Sequence, residues 1–135
     1  KSLNIFKEAG AKRALLLPVS VPSHCSLMKP ITEEFTSFLN TIDFSKPKIS
    51  IIHNVDASIH TEEKKIKDAL VRQLYNPVQW TNSIEYMLSQ QNNCFVEVGP
   101  GKVLSGLNKR ISKESINFST SNKESLHQTI EQIKR

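Results

Sequence analysis

Four histidines and two cysteines carry most of the chemistry available to this chain near neutral pH. His24 stands out because it lies in Val19-Ser20-Val21-Pro22-Ser23-His24-Cys25-Ser26-Leu27-Met28. Pro18 and Pro22 fix the backbone ahead of it and withhold two N–H donors, so a constrained loop would hold the ring in one orientation. Neutral imidazole is the commonest general base near pH 7. Taken alone, the loop fits a satisfied, half-buried histidine better than a catalytic one, and a base needs a nucleophile. Cys25 does not make a dyad with His24, since neighbours in extended chain point to opposite faces. His24, Cys25, His53, His60 and Cys94 match no zinc spacing, so no metal site is expected. Gly99-Pro100-Gly101-Lys102 could cradle a phosphate at a helix start. The full G-x-x-x-x-G-K-[ST] pattern is missing and Pro100 removes a donor, so a tight turn is the better reading.

The elements that must position these residues follow from periodicity and punctuation. Residues 1–9 read as a helix closed by Gly10. Residues 12–17 contain the apolar run Ala14-Leu15-Leu16-Leu17 and read as a short buried strand. A helix is expected from about Ser26 to Leu39, with Leu27, Ile31, Phe35, Phe38 and Leu39 inward and Pro30 in its first turn. Pro47 opens a strand over 48–52, which runs into the turn Asn54-Val55-Asp56. Thr61 caps a helix that reaches about Leu74 and is stopped by Asn76-Pro77. A helix over 79–90, a strand over 94–98 and a helix over 102–111 follow. Ile116-Asn117-Phe118 forms a last strand and Lys123 to Ile133 a last helix. Strand–helix alternation after an initial helix defines an α/β class with a mainly parallel sheet.

Composition narrows the functional classes. A chain of 135 residues with 38% apolar and 23% charged residues suits one globular domain. No apolar run approaches the roughly 20 residues that span a bilayer, and the first residues are not a secretory signal. Two cysteines make no disulfide framework, and they read as buried thiols in a reducing compartment. A net charge of +5 allows an anionic partner. The basic residues Lys12, Arg13, Lys102, Lys109 and Arg110 lack the interleaved aromatics or module of a nucleic-acid reader.

Four blocks then converge on one family. They are Val21-Pro22-Ser23-His24-Cys25-Ser26-Leu27-Met28, Asn54-Val55-Asp56, the run from Asp68 to Trp80, and Glu97-Val98-Gly99-Pro100-Gly101-Lys102-Val103-Leu104. Together they closely resemble the malonyl-CoA:acyl carrier protein transacylases of bacterial type II fatty acid synthesis, over roughly residues 1 to 112. The resemblance implies the C-terminal part of such an enzyme. Residues 1–18 would end a ferredoxin-like small subdomain. Residues 19–112 would belong to an α/β-hydrolase-like large subdomain, and 113–135 to a C-terminal tail. His24 would take the proton of a serine nucleophile and later activate the phosphopantetheine thiol of acyl carrier protein. The main-chain carbonyl of Gln73 would orient His24 in place of a third triad carboxylate. Ser23 would border the acyl pocket, at a position where multidomain relatives often carry Phe. The G-x-S-x-G elbow that bears the nucleophile is absent from these 135 residues, so this chain alone is expected to be inactive.

The same resemblance implies malonyl-CoA as substrate and no permanently bound cofactor. Acyl carrier protein would be the partner, docked by Lys12, Arg13, Lys109 and Arg110, with neither nucleic acid nor membrane. A cytoplasmic location, and a monomer when complete, also follow. The competing readings are a non-catalytic α/β module that binds an acidic protein, and a broader acyl hydrolase or acyltransferase of the same fold.

Overall fold

The computed structural model describes residues 2–16 and 19–134. Helix α1 (Ser2–Glu8) ends where Gly10, at φ +87, turns the chain. The Gly10 N–H donates to the Lys7 carbonyl and the Ala11 N–H to the Phe6 carbonyl, the paired bonds that close a helix on a left-handed glycine. Among the described residues of the strand expected over 12–17, residues 12–16 form none. Leu15 and Leu16 are exposed, and no described strand lies alongside to supply ladder partners, which an apolar run needs before it becomes a strand. Leu17, the last residue of that expected strand, and Pro18, one of the prolines expected to fix the loop, lie outside the described residues.

Beyond the histidine loop, Ser26–Ile31 is a 3₁₀ turn that continues as α2 (Thr32–Asn40). One continuous α-helix was expected here. Pro30 carries no N–H and disfavours the α conformation of the residue before it, so the α-helix begins only after it. Leu39 alone of the expected apolar face is buried, while Leu27 and Phe38 are exposed. The strand expected over 48–52 is also shorter. Only Ile52 and His53 pair, as β1 (Ile52–His53) against antiparallel β2 (Ser58–Ile59), in the register Ile52↔Ile59 and His53↔Ser58. The tight turn 54–57, with Ala57 at φ 52, sets that register.

Helix α3 (Glu63–Tyr75) begins after Glu62 rather than Thr61, and Glu62 makes no side-chain cap bond. It buries Ile66 and Ala69 and packs against both α2 and the 3₁₀ turn. It stops where Asn76 turns extended ahead of Pro77, with the Asn76 N–H and Nδ2 both donating to the Arg72 carbonyl. Helix α4 (Trp80–Ser89) buries Ser83 and Ile84.

The remaining elements form a β–α–β unit. Strand β3 (Cys94–Glu97) pairs in parallel with β4 (Ile116–Ser119), and α5 (Val103–Ile111) crosses between them. Helix α6 (Lys123–Ile133) packs against β4. The Trp80 indole N–H donates to Asn108 Oδ1 at 3.1 Å and ties α4 to α5. The Thr129 hydroxyl donates to the Ser119 carbonyl at 3.2 Å and ties α6 to β4. Parallel pairing and a crossover helix agree with the α/β class, while β1 and β2 form a separate antiparallel hairpin.

Candidate active site

His24 sits at the C-terminal end of α3. Its Nδ1 lies 2.9 Å from the Gln73 carbonyl oxygen, and its backbone N–H donates to the Leu74 carbonyl at 3.0 Å. The last carbonyls of a helix lack intrahelical partners, and the histidine loop satisfies two of them. The loop reaches that position through a tight backbone path. Ser23 N–H donates to the Val21 carbonyl, the Cys25 thiol donates to the Pro22 carbonyl, and His24 takes φ 62. A positive φ is uncommon outside glycine and costs on the order of 1–3 kcal/mol. The two bonds to α3 hold the residue there.

A carbonyl oxygen can only accept, so Nδ1 at 2.9 Å from it carries the proton. The neutral ring then presents its Nε2 lone pair, which is the arrangement of a general base. Gln73 Nε2 also lies 3.3 Å from Nδ1, but it donates to the Asn76 carbonyl at the shorter distance of 3.0 Å. Its amide is therefore turned toward the helix end, and the main-chain carbonyl is the partner of the ring.

Around this pair runs a charged cluster to which sequence reasoning gave no role. Arg72, the residue before Gln73, donates from Nη2 to Asp56 Oδ2 at 2.7 Å and from Nε to Asp68 Oδ2 at 2.7 Å. His60 Nε2 lies 3.0 Å from the same Asp56 oxygen. Burial would raise the Asp56 carboxyl, but the hydrogen bonds from Arg72 and His60 outweigh it and hold the group below its ordinary range. Next to it, burial lowers His53, helped by His60 and Arg72 and opposed by Asp56. Arg72 lies within the block that carried the family resemblance, and Asp56 closes the turn. No local spacing signals that the two meet, since they are sixteen residues apart and on different elements.

The turn at Gly99–Gly101 contains no open anion cradle. The Glu97 carboxylate accepts from the N–H groups of Leu104 and Ser105, at 3.1 and 2.8 Å, and from the Ser105 hydroxyl at 2.7 Å. These bonds hold it below its ordinary range. The chain's own carboxylate fills the α5 N-terminus where a phosphate would have to sit. Of the other residues singled out, Ser23 is exposed beside His24. Lys12 and Arg13 are exposed between α1 and the histidine loop, and Lys109 and Arg110 are exposed in the last turn of α5. Among the described residues no helix is long and apolar enough to cross a membrane.

The fold these elements make is that of the acyl-carrier-protein S-malonyltransferases. The structure of one from Vibrio cholerae superposes with a TM-score of 0.85 at 52% identity, over 91% of this chain and 40% of that one. A second solved structure is described as a type II PKS acyl-carrier protein in complex with its malonyl-transacylase. It matches with a TM-score of 0.90 at 44% identity, over 96% of this chain and 42% of that one. In sequence the chain belongs to the malonyl CoA-acyl carrier protein transacylase family and corresponds to its C-terminal part. The Escherichia coli K12 protein of that name is 59% identical over 105 residues, which are 78% of this chain and 34% of the relative. The chain thus spans about a third of the length of the curated relatives it matches. No protein-family model matches it.

Proposed function

We propose that this chain supplies the general base of a malonyl-CoA:acyl carrier protein transacylase. The observation that carries the reading is the His24 Nδ1 to Gln73 carbonyl contact of 2.9 Å, which leaves Nε2 free to accept a proton. In the proposed first half-reaction a serine, borne outside these 135 residues, attacks the malonyl thioester carbonyl. His24 Nε2 takes the serine proton as the C–O bond forms, then returns it to the coenzyme A sulfur as the C–S bond breaks. In the second half-reaction His24 takes the proton of the phosphopantetheine thiol. That sulfur attacks the malonyl ester, and the proton returns to the serine oxygen as it leaves. The imidazolium formed in each half is transient, and a neutral carbonyl suffices to keep its ring in place. Malonyl-CoA is the substrate, no resident cofactor takes part, and Ser23 borders the acyl group.

The relative whose structure is described with an acyl carrier protein supports such a partner here. Residues 1–18 close the small subdomain and 19–112 lie in the large one. The stretch from 113 onward, which carries β4 and α6, corresponds to the C-terminal tail. A cytoplasmic location and a monomeric complete enzyme go with this reading.

Intact-mass spectrometry and steady-state kinetics test it together. The 135-residue chain with malonyl-CoA is expected to form no malonyl adduct, while the full-length enzyme forms one on its serine. In the full-length enzyme His24→Ala is expected to lower kcat by about 10² to 10⁴. Gln73→Ala is expected to cost far less, because it keeps the main-chain carbonyl. A stable adduct on the short chain, or equal losses in the two variants, would overturn the assignment.

A further inference from the structure

The turn 54–57 between β1 and β2 is bonded to both sides of the connection that follows Gln73. The Asn54 carbonyl accepts from the Gln79 N–H at 2.7 Å, one residue before α4. Asp56 Oδ2 accepts from Arg72 Nη2 at 2.7 Å in the last turn of α3. Between these anchors runs the segment that provides both carbonyls bound by His24. We propose that Asp56 is a positioning residue for malonyl transfer, clipping the end of α3 through Arg72 so that the Gln73 carbonyl meets His24 Nδ1. The proposal rests on the reading of His24 as the base.

Several observations separate this contact from an ordinary surface ion pair. The Asp56 side chain is 26% exposed, against 62% for Asp68, the other partner of Arg72. Exposed pairs contribute little and are screened by salt, so the Asp68 arm is the weaker one. Asp56 is also held from a second side by His60 at 3.0 Å, and Ala57 at φ 52 bends the turn that carries it. Arg72 stands immediately before Gln73, so the guanidinium is anchored one peptide away from the carbonyl that binds the ring. A main-chain acceptor cannot be adjusted by its own side chain. Its place is set by whatever fixes the helix end, and a displacement of about 1 Å at such a contact can cost up to 10²-fold in rate. In a Ser-His-Asp triad a carboxylate orients the imidazole directly. Here a carboxylate acts at one remove, through an arginine and the backbone.

The test compares Asp56→Asn with Asp68→Asn in the full-length enzyme. Malonyl transfer is measured at steady state, and the His24 ring is followed by long-range ¹H–¹⁵N spectra that report the Nδ1 proton. Asp56→Asn is expected to lower kcat by about 10-fold to 10²-fold with KM for malonyl-CoA unchanged, and to weaken the Nδ1–H signal. Asp68→Asn is expected to leave both at wild-type values. Wild-type kcat and an unchanged ring signal in Asp56→Asn overturn the proposal, and so does an equal loss in Asp68→Asn. Where Asp56→Asn does not fold, Arg72→Lys keeps the charge, loses the two-armed geometry and carries the same expectation for kcat and signal. A wild-type enzyme that transfers no malonyl, yet whose ring signal still follows Asp56, overturns the functional reading while supporting the clip.

Discussion

His24 shows how little of a site one residue reveals. The prolines around it pointed to a constrained loop, and its positive φ and two bonds to α3 show how the loop is fixed. Its partner Gln73 lies 49 residues away and contributes a main-chain oxygen. No residue type or spacing marks such a group, so only the family resemblance could name it. The same limit hid Asp56, whose role depends on a contact between a turn and a helix end. One consequence at this scale concerns acid. His53 is held below its ordinary value of 6.5, chiefly by burial and then by His60 and Arg72, against the opposing Asp56. Its folded value lies below its unfolded one, so the unfolded chain binds more protons in that range. The associated stability is therefore complete above about pH 6.5 and is lost as pH falls through the folded value. The depressed carboxylates Asp56 and Glu97 give up their contributions only at lower pH, below their ordinary values of 3.8 and 4.5. Thermal unfolding of the full-length enzyme between about pH 7.5 and 5 should show a falling Tm, and His53→Gln should shrink that fall. An identical slope in the variant would show that His53 is not the group being titrated.

Helix ends, rather than helix faces, position the chemistry. Asn76 and His24 satisfy the last carbonyls of α3, and Glu97 satisfies the first N–H groups of α5. The extents of α3, α4, β3, α5, β4 and α6 were legible within a residue or two. Their signals are local: apolar periodicity, the Asn76-Pro77 stop and the glycine turn at 99–101. The strands expected over 12–17 and 48–52 were misread for one shared reason. An apolar run says that a segment is suited to a sheet, but only a neighbour supplies the ladder. Helix α6 offers a test of how far the folded unit extends. Asn122 Oδ1 accepts from the Ser125 N–H at 2.8 Å, and the Ser125 hydroxyl accepts from the Asn122 N–H at 3.1 Å, a reciprocal cap. Asn122→Ala should lower the stability of the full-length enzyme by about 1 kcal/mol, read as a lower urea midpoint with an unchanged slope. An unmoved midpoint with faster amide exchange confined to α6 would mean that α6 frays independently.

The molecule as a whole carries a thin core, a large apolar surface and a basic charge. Among the described residues Leu39, Val55, Ile66, Ala69 and Ile84 are the buried apolar side chains, while Ile49, Ile51, Val98 and Val103 stand exposed. The two short sheets among the described residues leave that surface uncovered. The net charge of +5 gives the proposed docking residues their meaning. Exposed cations steer encounter with an acidic partner and lose strength in salt. In the full-length enzyme, reversing Arg13 and Arg110 to Glu should raise KM for the carrier protein, more at low salt than at high, while hydrolysis of malonyl-CoA by water stays unchanged. An unaltered KM, or an equal loss with water as acceptor, would assign those residues to plain solvation. The bond between His24 and Gln73 also bears on the order in which the protein assembles. It joins residues 49 apart in sequence, so it forms only once the chain between them has brought the histidine loop onto the end of α3. A protein whose secondary structure has already returned would stay inert until that loop shuts, and the regain of activity would trail the recovery of helix.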